Sequence, residues 1–229
     1  MAIGTLNEGS LHEALKIHYA PPGAALEVPV ESFVADVRTE DDQLIEIQTS
    51  GFGSMRKKLE KLLPNFPILL VHPIAKIRHI VKLEDDLDTP LGSRKSPKHG
   101  KFEDVLDEVV SIPKILNHPN FTLEVVLIEE EEFRVFSGQR RRNGWRVVGR
   151  RLVSVLETWR VSEARDLLQL VRHNLPEEFT TADLASGMDS HRSMAQKLAY
   201  CLREAGTIEL CGKQGNALIY KHAVYKRAC

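Results

Sequence analysis

The sequence is poor in the features that would assign its class directly. Its 229 residues include three cysteines, Cys201, Cys211 and Cys229, and none of them forms a CxxC pair. So few and unpaired cysteines argue against a disulfide or zinc framework and predict reduced thiols in a cytoplasmic protein. No apolar run approaches the roughly 20 residues of a membrane span. The opening stretch MAIGTLNEGS lacks the basic and then apolar regions of a secretory signal, so we expect no membrane association.

An excess of one charge sign is also absent. Lys plus Arg number 31 and Asp plus Glu 32, so only local clusters of charge are informative about nucleic-acid binding. The motifs HExxH, GxSxG, GxxxxGK[ST] and GxGxxG do not occur, which removes the signatures of several common enzyme classes. With 42% hydrophobic and 28% charged residues, the composition is typical of a soluble globular protein with one large or two small domains.

The strongest chemical signal lies in residues 33–63. A short predicted strand carries Asp36, a polar turn follows at 38–43, and a second strand at 44–49 carries Glu46 and Gln48. Because side chains alternate between the faces of a strand, Glu46 and Gln48 share one face of an otherwise apolar segment. A carboxylate buried beside a sheet needs a counter-charge or a metal ion. Asp36 is the nearest second carboxylate, and two converging carboxylates favour a hard divalent cation.

The combination of Asp36, then Glu46-Ile47-Gln48, then a helix with basic residues resembles the core of the PD-(D/E)xK nucleases, over roughly residues 10–75. Gln48 stands where that superfamily usually has lysine. The resemblance implies a restriction-endonuclease-like fold and a Mg²⁺- or Mn²⁺-dependent deoxyribonuclease that leaves a 5′-phosphate. The implied metal ligands are Asp36, Glu46, the carbonyl of Ile47 and, as an extra acidic residue, Glu13; the implied catalytic residues are Asp36, Glu46, Gln48, and Lys57 or Lys58 as a source of positive charge.

Glu13 has a second interpretation. Ser10 lies three residues before it, and this spacing is that of a capping box at the start of a helix.

The order of predicted elements supports an α/β (α+β) fold. A helix, a three-stranded meander, a second helix and the continuous apolar run PILLVHPI follow one another in the first 75 residues. A strand, a helix and a buried strand form a crossover that returns to the same sheet. We therefore expect a mixed sheet with flanking helices in a nuclease-like domain at 1–155.

A basic hairpin is predicted at 133–151, with its turn near 140–144. It contains Trp145 and six arginines, Arg140, Arg141, Arg142, Arg146, Arg150 and Arg151. Such a hairpin can track phosphates and stack on a base, so we expect DNA contacts from Arg140, Arg141, Arg142 and Arg146. The glutamate run at 129–132 just before it is expected to be mostly solvated, although internal salt bridges to these arginines are an alternative.

The last part of the chain, 156–229, has a distinct order of predicted elements. A helix at 161–176 is followed by a helix-turn-helix pattern, in which Thr180 or Thr181 begins the first helix and Ser190 the second, and then by two strands around a glycine-rich turn. This order resembles that of bacterial winged helix-turn-helix domains. The resemblance implies DNA contacts from His191, Arg192, Ser193, Gln196 and Lys197, and wing contacts from Lys213 and Gln214. A winged helix used for protein contact is the alternative, since fold alone does not determine function.

These patterns lead to one main hypothesis and two rivals. The main hypothesis is a metal-dependent DNA endonuclease that acts on duplex or branched DNA, with a homodimer expected because cutting both strands needs two sites. The first rival is a non-catalytic DNA-binding or regulatory protein built on a degenerate nuclease-like scaffold. The second is a protein-interaction adaptor.

Overall fold

The computed structural model describes residues 9–138 and 144–223, with side chains from Leu11 onward. Contacts within the chain divide it into two compact units. The first unit consists of 1–49, 69–102 and 124–159, and the second consists of 50–68, 103–123 and 160–229. The second unit therefore gathers two internal segments together with the C-terminal part that the sequence assigned to a separate domain at 156–229.

The architecture is mixed α/β, with a large mixed sheet and flanking helices, as expected. The elements up to the long hairpin are α1 (Gly9–Tyr19), β1 (Ala25–Val30), β2 (Phe33–Arg38), β3 (Leu44–Ile47), α2 (Phe52–Leu62), β4 (Ile68–Leu83), β5 (Pro90–Lys95), a 3₁₀ helix (Phe102–Val105), α3 (Leu106–Val109), a 3₁₀ helix (Ile115–Asn117), β6 (Phe121–Phe136) and β7 (Trp145–Val161). The predicted order of helix, three-stranded meander, helix and strand is confirmed.

Seven strands form one sheet in the order β1-β2-β3-β4-β6-β7, with β5 paired to β4. β1 pairs with β2 and β2 with β3, both antiparallel, as the short turns between them require. Helix α1 covers this part of the sheet. Its Leu11 and Leu15 pack in one buried cluster with Val37 of β2 and Ile45 and Ile47 of β3. All four residues of β3 are buried, so the strand that carries Glu46 is covered on both faces.

The predicted hairpin at 133–151 is present as the adjoining ends of β6 and β7. Ser137 donates its backbone N–H to the carbonyl of Gly144 over 2.6 Å, and β6 and β7 are neighbours in the sheet. The turn at 139–143, with Arg140, Arg141 and Arg142, lies outside the described residues.

The C-terminal part of the second unit contains a 3₁₀ helix (Ala164–Leu170), β8 (Glu178–Thr180), α4 (Thr181–Gly187), α5 (Arg192–Glu204), β9 (Ile208–Gln214) and β10 (Ala217–His222). Its three strands are ordered β8-β10-β9, and both pairs are antiparallel. The helix predicted at 161–176 is wrong in type and length, since only seven residues form a 3₁₀ helix and Val171 is already extended.

The ends of the two C-terminal helices follow local chemistry. Thr180 accepts hydrogen bonds from the N–H groups of Ala182 and Asp183, and the Asp183 carboxylate accepts the N–H of Thr180, which is a complete capping box. After α5, Gly206 adopts φ 73°, the left-handed conformation that ends helices. The predicted cap at Ser190 is wrong: His191 precedes α5, and the Ser190 hydroxyl instead donates to Glu103 over 2.9 Å.

No helix within 9–138 or 144–223 is long and apolar enough to cross a bilayer.

Candidate carboxylate site and nucleic-acid surfaces

Asp36 and Glu46 lie directly beside the paired positions of β2 and β3. Val37 pairs with Ile45 and Arg38 with Leu44, so the next positions along the two strands are Asp36 and Glu46. The Asp36 carboxylate reaches β3 directly, because its Oδ2 accepts the backbone N–H of Ile47 over 2.8 Å. Glu46 is 3% exposed and the Asp36 side chain 20%. The two carboxylates that the sequence singled out therefore belong to neighbouring strands, one position beyond the pair Val37–Ile45.

His12 is part of this site, and the sequence analysis missed it. Its Nε2 lies 3.2 Å from Oδ2 of Asp36, on a side chain that is 33% exposed. The hydrogen bond to Asp36 is the largest influence on His12 and raises its pKa above the ordinary value, against the opposing effect of burial. The sequence analysis instead gave Glu13, the adjacent residue on α1, as an additional metal ligand implied by the resemblance.

Glu13 itself pairs with Lys16. The Lys16 ammonium lies 2.6 Å from carboxylates of both Glu13 and Glu27, and its side chain is almost completely buried while both partners are exposed. Burial lowers the pKa of Lys16, but the hydrogen bonds that its ammonium donates to Glu13 and Glu27 outweigh this effect and raise the pKa overall. The contacts of Glu13 are therefore those of a structural ion pair at the surface of α1.

The backbone of Gln48 is held by the neighbouring strand. Its N–H donates to the carbonyl of Val71 over 2.9 Å, and its own carbonyl lies 2.7 Å from Nδ1 of His72. Because a carbonyl oxygen only accepts, Nδ1 of the buried His72 carries the hydrogen. These two hydrogen bonds hold the backbone of Gln48 in place and so determine where its side chain starts.

Lys57 and Lys58 belong to a different compact unit from the carboxylates. They lie on α2, in the second unit, whereas Asp36, Glu46 and Gln48 are in the first. Lys57 is exposed and Lys58 partly exposed, and the buried stripe of α2 is formed by Phe52, Leu59 and Leu62.

The glutamate run at 129–132 is not mostly solvated, and that expectation is wrong. Glu130 and Glu132 are each 2% exposed. Arg78 of β4 donates to Glu130 over 2.6 Å, and Arg134 donates from Nε to Glu132 over 2.7 Å. Partners from neighbouring positions of the sheet thus compensate the buried charge, which is the internal salt-bridge alternative.

The hairpin arginines divide into two groups. Arg150 lies 3.7 Å from Glu132 and Arg151 pairs with Glu131, so both arginines are paired with glutamates of β6. Arg146 is exposed and remains available for a ligand. The Trp145 ring is partly exposed but covered on one face by the Lys82 ammonium, 4.3 Å from its centroid.

The residues predicted to contact DNA from α5 are also divided. His191, Arg192, Ser193 and Gln196 are exposed, as are Lys213 and Gln214 at the turn between β9 and β10. Lys197 differs, because its ammonium is hydrogen-bonded to the carboxylate of Asp107 within the second unit. Sequence reasoning could not find this pair, since the partners lie 90 residues apart.

Within residues 9–138 and 144–223, no group of three or more His, Cys, Asp and Glu side chains is arranged to hold a metal ion. Of the predicted ligands, Asp36 and Glu46 lie on neighbouring strands, whereas Glu13 pairs with Lys16.

Comparison with other proteins gives a family. A family model described as "Domain of unknown function (DUF8091)" matches residues 9–162, which extend from the start of α1 to the end of β7. A protein of Treponema pallidum (strain Nichols), described as an uncharacterized protein, is 33% identical over 224 residues, which cover 96% of this chain and 88% of that protein. No solved structure matches. Since the family model covers more than half of its length, the chain belongs to the DUF8091 family.

Proposed function

We propose that this protein is a metal-dependent deoxyribonuclease of the PD-(D/E)xK type, with a winged-helix part that binds DNA. The observation that carries the proposal is that Asp36 and Glu46 lie on adjacent antiparallel strands, each directly beside the paired residues Val37 and Ile45. Gln48 follows two positions after Glu46, directly after the end of β3, where the superfamily pattern expects its third residue. The element order from α1 to β4 agrees with the nuclease core that this pattern implies.

The oxygen atoms of Asp36, Glu46 and the Ile47 carbonyl are chemically suited to binding a divalent cation. Two carboxylates and a backbone carbonyl are hard oxygen donors, which suit Mg²⁺ or Mn²⁺. Neighbouring carboxylates repel each other, and a cation would relieve that repulsion. Asp36, Glu46 and the carbonyl of Ile47 would hold the ion. When bound, it would supply a water of lowered pKa and neutralise charge on the scissile phosphate.

The chain's own groups would position the reactants. His12 and the N–H of Ile47 hold the Asp36 carboxylate in one orientation. Gln48, fixed through its backbone by Val71 and His72, presents an amide that can orient a water or a phosphate oxygen but carries no positive charge. Alanine substitution of Lys57 and of Lys58, each made separately, tests by plasmid nicking the role that the resemblance implies for these lysines.

The DNA-binding part of the proposal is supported by the C-terminal elements. A helical segment, β8, two helices and a two-stranded turn follow one another, with the strands ordered β8-β10-β9. This is the order expected of a winged helix. Of the predicted contact residues, Arg192, Gln196 and Lys213 are exposed.

The proposal is tested by incubating closed-circular plasmid with the full chain and Mg²⁺, Mn²⁺ or EDTA. We expect nicking with either metal and none with EDTA. Asp36→Ala and Glu46→Ala should abolish nicking while DNA binding and the circular dichroism spectrum are retained. Asp42→Asn is the matched control, because Asp42 is an exposed carboxylate of the same segment paired with Arg38. Full cleavage by the Asp36 or Glu46 variant would remove the site assignment.

The second candidate is a non-catalytic DNA-binding protein with a nuclease-like scaffold. Glutamine in place of lysine at position 48 favours it, and so does the His12–Asp36 pair, which already supplies Asp36 with a partner. DNA binding without nicking at any metal concentration would favour this candidate.

A further inference from the structure

Helix α5 exposes a single polar stripe. Arg192, Gln196, Tyr200 and Arg203 are spaced four, four and three residues apart, so they lie along one face of the helix. All four are exposed, and Tyr200 is 41% exposed despite its large ring. The opposite stripe of α5 is buried and consists of Ala195, Leu198, Ala199, Cys201 and Leu202. Tyr200 and Arg203 had not been singled out from the sequence.

The exposed stripe forms one wall of a groove whose other wall is β10. The groove has a volume of about 320 Å³, and Asn216, Ala217 and Leu218 line it from the strand side. Thr181 and Tyr220 complete the lining, which therefore contains two guanidinium groups and no carboxylate. The groove suits an anionic ligand because its charged groups are all positive.

The charges of the groove arginines differ in how far they are compensated. Arg203 Nη2 donates to Glu204 over 3.0 Å, and its guanidinium lies 5.8 Å from the centre of the Tyr200 ring. Arg192 makes no ion pair with any residue in 9–138 or 144–223. Its charge is therefore available to a ligand.

Two polar side chains at and before α5, Lys197 and Ser190, are held by the protein's own acids. The Ser190 hydroxyl donates to Glu103, and the Lys197 ammonium is hydrogen-bonded to Asp107. Both partners belong to the same compact unit as α5. The positive charge that remains for DNA is consequently on the side of the helix that faces β10.

We propose that the groove between α5 and β10 binds the sugar-phosphate backbone of duplex DNA and does not read its bases. This inference rests on the proposed function, in which DNA is the substrate. Guanidinium groups bind phosphate in a bidentate manner, and amide and hydroxyl groups such as those of Gln196 and Tyr200 are common phosphate donors. Contacts to phosphate carry no direct sequence information, so the bound DNA is duplex of any sequence.

The experiment measures fluorescence anisotropy of short labelled duplexes of unrelated sequence with the full chain, in EDTA and over a range of salt concentrations. We expect similar affinities for all sequences. Arg192→Ala and Arg203→Ala should each weaken binding equally on every duplex and lower the slope of log K against log salt by about one unit. Arg192→Lys should restore most of the affinity because it keeps the charge.

Two further variants control for folding and position. Arg165→Ala removes an exposed arginine of the same compact unit that does not line the groove, and it should leave the affinity unchanged. Gln196→Lys adds a charge at an exposed groove position, and it should strengthen binding and raise the slope by about one unit. This gain keeps the inference testable even if an arginine variant fails to fold.

The outcomes separate the inference from the proposed function. If both arginine variants and Gln196→Lys bind DNA with the wild-type affinity, the groove is not the binding site, and the nuclease proposal still stands. A strong preference for one duplex that Gln196→Ala abolishes would overturn the backbone mode. Failure of the wild-type chain to bind any duplex would overturn the inference together with the DNA-binding part of the proposed function.

Discussion

The imidazole of His12 lies 3.2 Å from the carboxylate of Asp36. A residue from the first helix thus meets the strand residue that carries the proposed metal site. In the metal-free protein, this pair and the N–H of Ile47 hold Asp36 in one orientation. The pair has a pH dependence whose sign follows from the raised pKa of His12.

We expect His12 of the metal-free protein to titrate above its ordinary value of about 6.5, because the hydrogen bond to Asp36 stabilises the charged ring. A pKa that is higher in the folded state contributes stability that is fully present below the unfolded value and is lost as pH rises through the folded value. NMR titration of the imidazole protons in EDTA measures the midpoint, and Asp36→Asn should lower it. An unchanged midpoint in that variant would contradict the assignment.

Glu132→Gln should destabilise the protein by about 2 to 3 kcal/mol. It removes a carboxylate that is 2% exposed and that pairs with Arg78, Arg134 and Arg150. Removing one partner of a buried ion pair costs about 3 to 5 kcal/mol, and the partial exposure of the arginines reduces this figure. Urea unfolding followed by circular dichroism gives the difference.

The matched control is Glu131→Gln, on the next residue of β6. Glu131 pairs with Arg151, whose side chain is 59% exposed, so its loss should cost at most about 1 kcal/mol. Equal losses for the two variants would show that burial does not distinguish the alternating glutamates.

Thr180→Ala should cost about 1 kcal/mol at neutral pH, because it removes the side chain that caps α4. Hydrogen bonds from the backbone and hydroxyl of Thr180 also lower the pKa of Asp183. This contribution is present above the unfolded value of Asp183 and is lost as pH falls through the lowered folded value. Thermal unfolding at a series of acidic pH values should therefore show that the difference in stability between wild type and variant becomes smaller as pH falls. A difference that becomes larger in acid would contradict this assignment.

Gly206→Ala should destabilise the C-terminal part of the second unit by about 1 to 2 kcal/mol, since φ at this position is 73° and a Cβ disfavours that conformation. Among the described residues, no atom lies within 4 Å of the added Cβ, so the expected cost is backbone strain. Gly206→Asn is the control, because asparagine tolerates the left-handed region better and should lose less. Calorimetric melting compares the three proteins.

The sequence predicts the first part of the fold well because its signals are local. Pro21, Pro22 and Pro64 end helices, period-two alternation marks the strands, and the apolar run after Pro67 marks the buried β4. Asp36 and Glu46 are found in the same way, since one short turn brings their strands together. No local pattern in the sequence identifies His12 as a partner of Asp36, because the contact depends on how α1 packs on the sheet.

The sequence fails where the partner of a charge is distant in the chain. Glu132 is compensated by arginines of β4 and β7, and Lys197 by an acid 90 residues earlier. The four successive glutamates were expected to be mostly solvated, because no periodicity rule states that those on the inward face of β6 would find arginines. The same distance hides the difference between Lys197, which anchors α5, and Arg192, which remains exposed.

The side chain of Asn117 bonds two backbone groups from the last seventy residues. Its Nδ2 donates to the carbonyl of Ala205 over 2.7 Å, and its Oδ1 accepts the N–H of Ala164 over 2.8 Å. A polypeptide that ends near residue 155 lacks both hydrogen-bond partners. The amide of Asn117 and the segments around it would then be exposed to solvent. Expression of a fragment that ends near residue 155 should consequently give an insoluble or protease-sensitive product, and both halves of the proposed function are best studied on the intact chain.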